Sequence, residues 1–348
     1  MSIQRKLKRQ LSKKNKVQTP STNVSSLLEK GILYLKHGKF LDGEAICKKV
    51  IKLDPNNFDG WLYLGYAFYK QGFLQRAVNA YQSCIKLKPD YAKAYYNLSL
   101  VQHDLELIPE AIKSLQQTVE LDPKHAPARH KLAALSGNTT DSPPQEYVIQ
   151  LFDQYSSNFE THLINNLEYK IPSHLRKLLS ENISDNIRLS KAIDLGCGSG
   201  ISGQAFHDIV DYIAGIDISR NMLEQAQSKK IYNDLYLGDV SKVLIELPGK
   251  FNLFIATDVM IYIGKLEQLF TTVSSKACPG AYFVFSIELQ NKQDFILQPS
   301  CRYAHSPKYI HKLATENHFS IVAQKQVGIR KQGEKWIPGE IYIIKKAS

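Results

Sequence analysis

Residues 188–200 read Arg-Leu-Ser-Lys-Ala-Ile-Asp-Leu-Gly-Cys-Gly-Ser-Gly, and this stretch decides what the chain can be. Ala192-Ile193-Asp194 has strand character, and Asp194-Leu-Gly196-Cys197-Gly198-Ser199-Gly200 follows with glycine at alternate positions. Glycines there remove the side chains that would hold a ligand away from the backbone. Such a loop is weak by itself, because many nucleotide sites carry one. A dinucleotide fingerprint needs glycine at 196, 198 and 201, and position 201 is isoleucine. Asp194 also sits beside the loop, where a carboxylate repels a pyrophosphate but suits an ammonium group.

Downstream, short apolar runs alternate with helical patterns. Strands are expected at Tyr212–Asp217, Leu235–Leu237, Phe251–Ala256 and Tyr282–Ile287, with amphipathic stretches such as Asn221–Lys229 and Leu266–Lys276 between them. That alternation predicts a parallel, doubly wound sheet. Phe319–Val327 and Glu340–Ile344 are joined by a polar segment with no room for a crossover helix, so they pair antiparallel. The expected domain is Rossmann-like, with a mostly parallel seven-stranded sheet ending in an antiparallel hairpin. Its strand ends carry carboxylates in register. Asp217 lies 21 residues after Gly196, the offset of an acid that hydrogen-bonds ribose hydroxyls. Gly238-Asp239-Val240 places an acceptor where an adenine amine would lie, and Asp258 ends the fourth strand. Any one of these could be a helix cap, but four in register are hard to ascribe to capping.

The first half has a different logic. Leu53-Asp54-Pro55, Leu87-Lys88-Pro89 and Leu121-Asp122-Pro123 recur at 34-residue intervals, the period of a tetratricopeptide helix–turn–helix unit. Units are expected at 24–57, 58–91 and 92–125, with a capping helix to 136. Gly31, Gly65, Ala77 and Ala111 let helices approach, and each proline ends a second helix. Leu28, Ile32, Leu62, Tyr66, Tyr69, Tyr96 and Leu100 are expected on the concave face. That face either receives a protein or peptide partner or packs on another domain or copy. A turn-rich linker is expected at 137–146, and the α/β domain at 147–348.

The net charge is +11, of which residues 1–20 supply +7 without an acid. Residues 1–23 read as a basic, solvated leader, and the charge does not by itself call for nucleic acid. No apolar run is long enough for a membrane span, and the five scattered cysteines form no CxxC pair. No metal site and a cytoplasmic location are therefore expected.

Taken together, these motifs resemble bacterial class I S-adenosylmethionine-dependent methyltransferases that carry tetratricopeptide repeats. The resemblance rests on Leu151-Phe-Asp-Gln-Tyr155 with Phe159 and His162-Leu163, on the glycine loop, and on Gly215-Ile-Asp-Ile-Ser219 with Met222-Leu223. It continues through Thr257-Asp-Val-Met-Ile-Tyr262, Pro279-Gly280, Ser286-Ile-Glu288 and Arg302-Tyr-Ala-His-Ser306. It implies S-adenosylmethionine as cofactor, held by Tyr155, Asp194, Gly196, Cys197, Gly198, Ser199, Gly200, Asp217, Ile218, Met222, Gly238, Asp239, Val240 and Asp258. Tyr155 and Phe159 either cover the methionine end or pack as core of their helix.

Methyl transfer from a sulfonium is an in-line displacement, so the protein must orient the acceptor and keep its lone pair free. His305 is the expected base, because neutral imidazole takes a proton at physiological pH. Tyr303 and Arg302 are expected to orient the acceptor, unless the segment merely caps the helix starting near Ser306-Pro307. The motif after the fourth strand lacks the Asn/Asp-Pro-Pro-aromatic sequence of amino-methylating DNA enzymes. The expectation is methylation of a protein side chain or small molecule, with nucleic acid and membrane not expected as partners. The alternative is a non-catalytic repeat scaffold with a cofactor-sensing domain.

Overall fold

The computed structural model describes residues 20–155, 160, 163, 167–183 and 189–348. The chain forms two compact units, Met1–Leu132 and Ala133–Ser348.

The first unit is helical. α1 (Pro20–Lys36) and α2 (Phe40–Leu53), α3 (Phe58–Lys70) and α4 (Leu74–Leu87), and α5 (Ala92–Asp104) and α6 (Ile108–Leu121) form three antiparallel pairs. Asp54, Lys88 and Asp122, which cap the second helices, share φ values of −139°, −139° and −136°. Each precedes the proline of its unit, whose ring excludes helical backbone at the residue before it. Proline spacing in the sequence thus becomes helix length in space. Gly65 shows the tight packing inside one unit, since a Cβ there would lie 2.7 Å from the Tyr81 ring. A hydroxyl links successive units, since Tyr69 donates to Asp104 at 2.7 Å, and within the second unit Tyr91 donates to Asp59 at 3.1 Å. One expected groove residue is displaced. Leu62 is buried in the core with Leu64 and Phe68, whereas Tyr66, Tyr69 and Tyr96 are half-buried.

α7 (Ala126–Leu135) is the expected closing helix, and the division between the units falls within it. The second unit continues with α8 (Gln145–Tyr155), α9 (Ile171–Asn182) and β1 (Leu189–Leu195). The alternating part comprises α10 (Ile201–Phe206), β2 (Val210–Asp217), α11 (Arg220–Ser228), β3 (Asp234–Leu237), α12 (Val240–Glu246), β4 (Phe251–Ala256), α13 (Glu267–Lys276) and β5 (Ala277–Leu289). A short ribbon of β6 (Phe295–Leu297) and β7 (Tyr303–His305) precedes α14 (Pro307–Glu316), β8 (Phe319–Gln332) and β9 (Lys335–Lys346).

Five strands run parallel in the order β3-β2-β1-β4-β5, and β9 lies antiparallel on β5 with β8 beyond it. Strand direction follows connection length. Helices join β1 to β5, whereas two residues separate β8 from β9. The sheet has nine strands among the described residues, not seven, because β6 and β7 are added at the end of β5. At three residues each, they are too short for alternation to show in sequence.

Alternate side chains of one strand enter opposite cores. Phe283, Phe285 and Ile287 of β5 join one cluster, and Tyr282 and Val284 join the other. Apolar residues on both faces explain why these strands read as unbroken runs. The segment expected as a linker is part of this unit. Thr139 Oγ1 accepts from the Leu297 N–H at 3.2 Å, Thr140 and Tyr303 share a hydroxyl hydrogen bond at 2.7 Å, and the Asp141 carbonyl accepts from Lys265 N–H at 2.8 Å.

Candidate active site at the strand ends

Strand order reverses between β1 and β4, and in an open α/β sheet ligands bind beyond the carboxyl ends of the strands at such a point. The glycine loop leaves β1 there. Gly196, Gly198 and Gly200 have φ of 68°, 53° and 94°, a region in which side chains are strained. A Cβ on Gly196 would also lie 2.7 Å from Val259, so glycine satisfies both backbone and space.

Asp194 is fully buried, and its Oδ2 accepts from the Tyr232 hydroxyl at 2.7 Å. Burial pushes its carboxyl up to about 7, against the opposing effect of the Tyr232 hydrogen bond. Its Oδ1 and the Ser199 hydroxyl are buried without a hydrogen-bond partner among the described residues. Buried polar atoms are normally paired, so two such atoms beside one loop fit a polar ligand held there. Cys197 is buried in the loop.

Asp217 ends β2 and is buried, not solvent-facing. Its two oxygens accept from Gly198 N–H and Ser219 N–H, each at 2.8 Å, so it fixes the loop as well as offering lone pairs. Burial raises its carboxyl above the ordinary value, while these backbone donors pull it down. Asp239 does double duty too, because its Oδ1 caps α12 by accepting from Ser241 and Lys242 N–H at 3.0 and 3.1 Å. Gly238, with φ of 151°, precedes it, and Ile218 and Val240 are half-buried near these turns. Met222 is fully buried in the apolar face of α11. Ser219 Oγ donates to Asp153 at 2.6 Å, which brings α8 to the loop. The Tyr155 side chain and Phe159 lie outside the described residues.

The three expected acceptor-side residues separate. His305 has no solvent exposure; it belongs to β7, where Phe295 and Tyr309 flank its ring. Its Nε2 lies 2.9 Å from the Gly264 carbonyl. A carbonyl only accepts, so Nε2 carries the proton, and burial lowers the imidazole to about 4. An enclosed ring of this kind has no path to an acceptor, and the expected base is not formed at this position. Tyr303 is also buried and is taken up by Thr140. Ser306 Oγ accepts from Tyr309 N–H at 3.2 Å, so the capping role anticipated for this segment is real. Arg302 alone reaches the strand ends. Burial opposes its charge, but Tyr262 and the carboxylates of Glu288 and Asp258 outweigh this and hold it more firmly protonated.

Asp258, expected among the cofactor ligands, is ion-paired with Arg330 of β8. Neither Arg330 nor its second partner Glu288 was legible as a site residue. Arg330 lies in a strand read only as far as Val327, and Glu288 entered the sequence reading only within the Ser286-Ile-Glu288 motif, with no role given to it.

The methyltransferase domain family matches residues 188–336, and the tetratricopeptide repeat family matches 28–83 and 64–126. The chain joins tetratricopeptide repeats to a class I methyltransferase domain. It is 35% identical over 71 residues to an 18S rRNA (guanine-N(7))-methyltransferase of Bos taurus, covering 20% of this chain and 25% of that protein. It is 30% identical over 115 residues to a probable enzyme of the same name in Dictyostelium discoideum, covering 33% and 38% respectively. Five of the six curated relatives are eukaryotic and carry that rRNA description, and the sixth is a bacterial ubiquinone biosynthesis O-methyltransferase. The bacterial qualifier in the resemblance is therefore unsupported, since all but one of these relatives are eukaryotic. The chain spans between 18% and 48% of the length of these relatives. Among solved structures, an S-adenosylmethionine-dependent methyltransferase from Clostridium acetobutylicum is 17% identical with a TM-score of 0.44, over 57% of this chain and 100% of that one.

Proposed function

We propose that the second unit transfers a methyl group from S-adenosylmethionine, and that the acceptor is a guanine ring nitrogen in RNA. The observation that carries the first part is the left-handed glycine loop at the strand-order reversal, with Asp194 Oδ1 and Ser199 Oγ buried and unpaired beside it. Asp194, Ser199, Asp217 and Asp239 are the residues that would hold the cofactor. When bound, that group supplies a sulfonium methyl with a neutral leaving group. The protein's own work is then to orient the acceptor, exclude water and fix dipoles where charge develops.

The names of five matched relatives support an RNA guanine as acceptor. Chemistry supports it as well. A ring nitrogen such as guanine N7 already has a free lone pair and loses no proton on methylation, so it needs no general base. An enclosed His305 is compatible with that reaction. This reading replaces the expectation that nucleic acid plays no part. A second reading, a protein side chain delivered by the repeats, is favoured by the tetratricopeptide unit itself.

Tritium-labelled S-adenosylmethionine, incubated with the full chain and a lysate lacking it, distinguishes these. Label in RNA, recovered as 7-methylguanine, is expected. Label in the protein or small-molecule fraction overturns the acceptor, and label in no fraction overturns the activity.

A further inference from the structure

A set of charged side chains meets at the ends of β4 and β5, beside the glycine loop. Arg330 Nη1 donates to both oxygens of Asp258, at 3.3 and 3.2 Å, and Nη2 pairs with Glu288. The second oxygen of Glu288 accepts from Gln298 Nε2 at 2.8 Å. Side-chain exposure is 2% for Arg330 and Glu288 but 21% for Asp258, so only one member of the triad opens outward. Desolvation offsets most of the attraction in a buried ion triad, so stability is a weak reason for such a group.

Position supplies a better one. Asp258 follows β4 with φ of 58°, and its N–H donates to Ser286 Oγ at 3.0 Å, which fixes this unusual backbone. The next residue, Val259, is the one packed against Gly196, so Asp258 adjoins the loop. In sheet order, however, β4 and β5 lie on the other side of β1 from β2 and β3, which carry Asp217 and Asp239. The triad thus borders the crevice opposite the ribose and adenine carboxylates. The unpaired Asp194 and Ser199 atoms mark the ligand position between them.

We propose that Asp258 receives the methyl acceptor by accepting hydrogen bonds from its N–H groups, and that Arg330 and Glu288 are positioning residues that fix the carboxylate. This rests on the methyltransferase reading of the second unit. It takes Asp258 out of the cofactor set. A guanine offers two adjacent donors, its ring N1–H and its exocyclic amine, to a single carboxylate. Methylation moves positive charge from sulfur onto the base as the S–CH3 bond breaks and the N–CH3 bond forms. A fixed carboxylate beside the base stabilises that charge without reorganising.

The experiment compares Asp258→Asn and Arg330→Lys with the native full chain, using S-adenosylhomocysteine binding and label transfer into total RNA. Asp258→Asn should bind S-adenosylhomocysteine within about threefold of native, while transfer falls about 10²-fold and the apparent KM for RNA rises. Arg330→Lys keeps the charge but not the two-pronged geometry, and should show the same split to a smaller degree. If Asp258→Asn does not fold, Asp258→Gly, which suits the left-handed backbone while deleting the carboxylate, is measured in its place. Near-native transfer overturns the proposal. So does lost S-adenosylhomocysteine binding in a folded variant, which would return Asp258 to the cofactor. Native label entering protein and not RNA overturns only the RNA reading, and the Asp258 comparison is then made on protein. No native transfer into any fraction overturns both.

Discussion

Tyr232 donates its hydroxyl to Asp194 Oδ2 at 2.7 Å, across 38 positions of sequence, and leaves the other carboxylate oxygen unpaired. A buried carboxylate with one oxygen unpaired is costly, because burial removes water that nothing replaces at that oxygen.

The cost has a pH signature. Folded Asp194 titrates near 7 and its ordinary value is 3.8, so the folded state binds more protons between these limits. Stability from this group is therefore greatest below pH 3.8 and is lost as pH rises through 7. Asp194→Asn should raise the melting temperature of the ligand-free protein at pH 8 by roughly 2 °C or more, with little gain at pH 4. It should also abolish the thermal shift produced by S-adenosylmethionine. Equal effects at both pH values would show that burial of charge is not the cause.

The domain boundary can be tested by truncation. A fragment beginning at Ala133 keeps the bonds of Thr139, Thr140 and Asp141, and one beginning at Tyr147 loses them. At about 1 kcal/mol for each hydrogen bond, the shorter fragment should melt several degrees lower. Coincident melting curves would show that 137–146 is a linker after all.

His305→Ala removes a buried ring stacked on Tyr309, and cavities of that size cost about 2–5 kcal/mol. The melting temperature should fall, while transfer per folded molecule stays within about threefold of native and its pH profile keeps its shape. A selective 10²-fold or greater loss of turnover would restore His305 as a base.

In the repeats, Gly65→Ala sets a methyl group 2.7 Å from the Tyr81 ring. Overpacking of this kind costs about 1–3 kcal/mol, and Tyr81→Leu should recover part of it. Additive destabilisation, read by helical circular dichroism on heating, would separate the two positions.

The division of labour between sequence and tertiary structure follows from the range of the interactions. The 34-residue proline period, the glycine loop with Asp194, and the short hairpin connection were legible because each is a local backbone constraint written into consecutive residues. Strand-end carboxylates were legible by the same means. Their partners were not. Asp217 closing on Gly198, Tyr232 reaching Asp194, and Arg330 crossing 72 positions to Asp258 are contacts that exist only once the sheet is assembled. Sequence position placed His305 beside the acceptor, but the pairing of Ala304 and His305 of β7 with the end of β5 turns its ring into the core. Residue type and spacing determine which elements form, because propensity and sterics act over a few residues. Which polar side chains meet, and which are walled off from solvent, is decided by packing between elements remote in the chain.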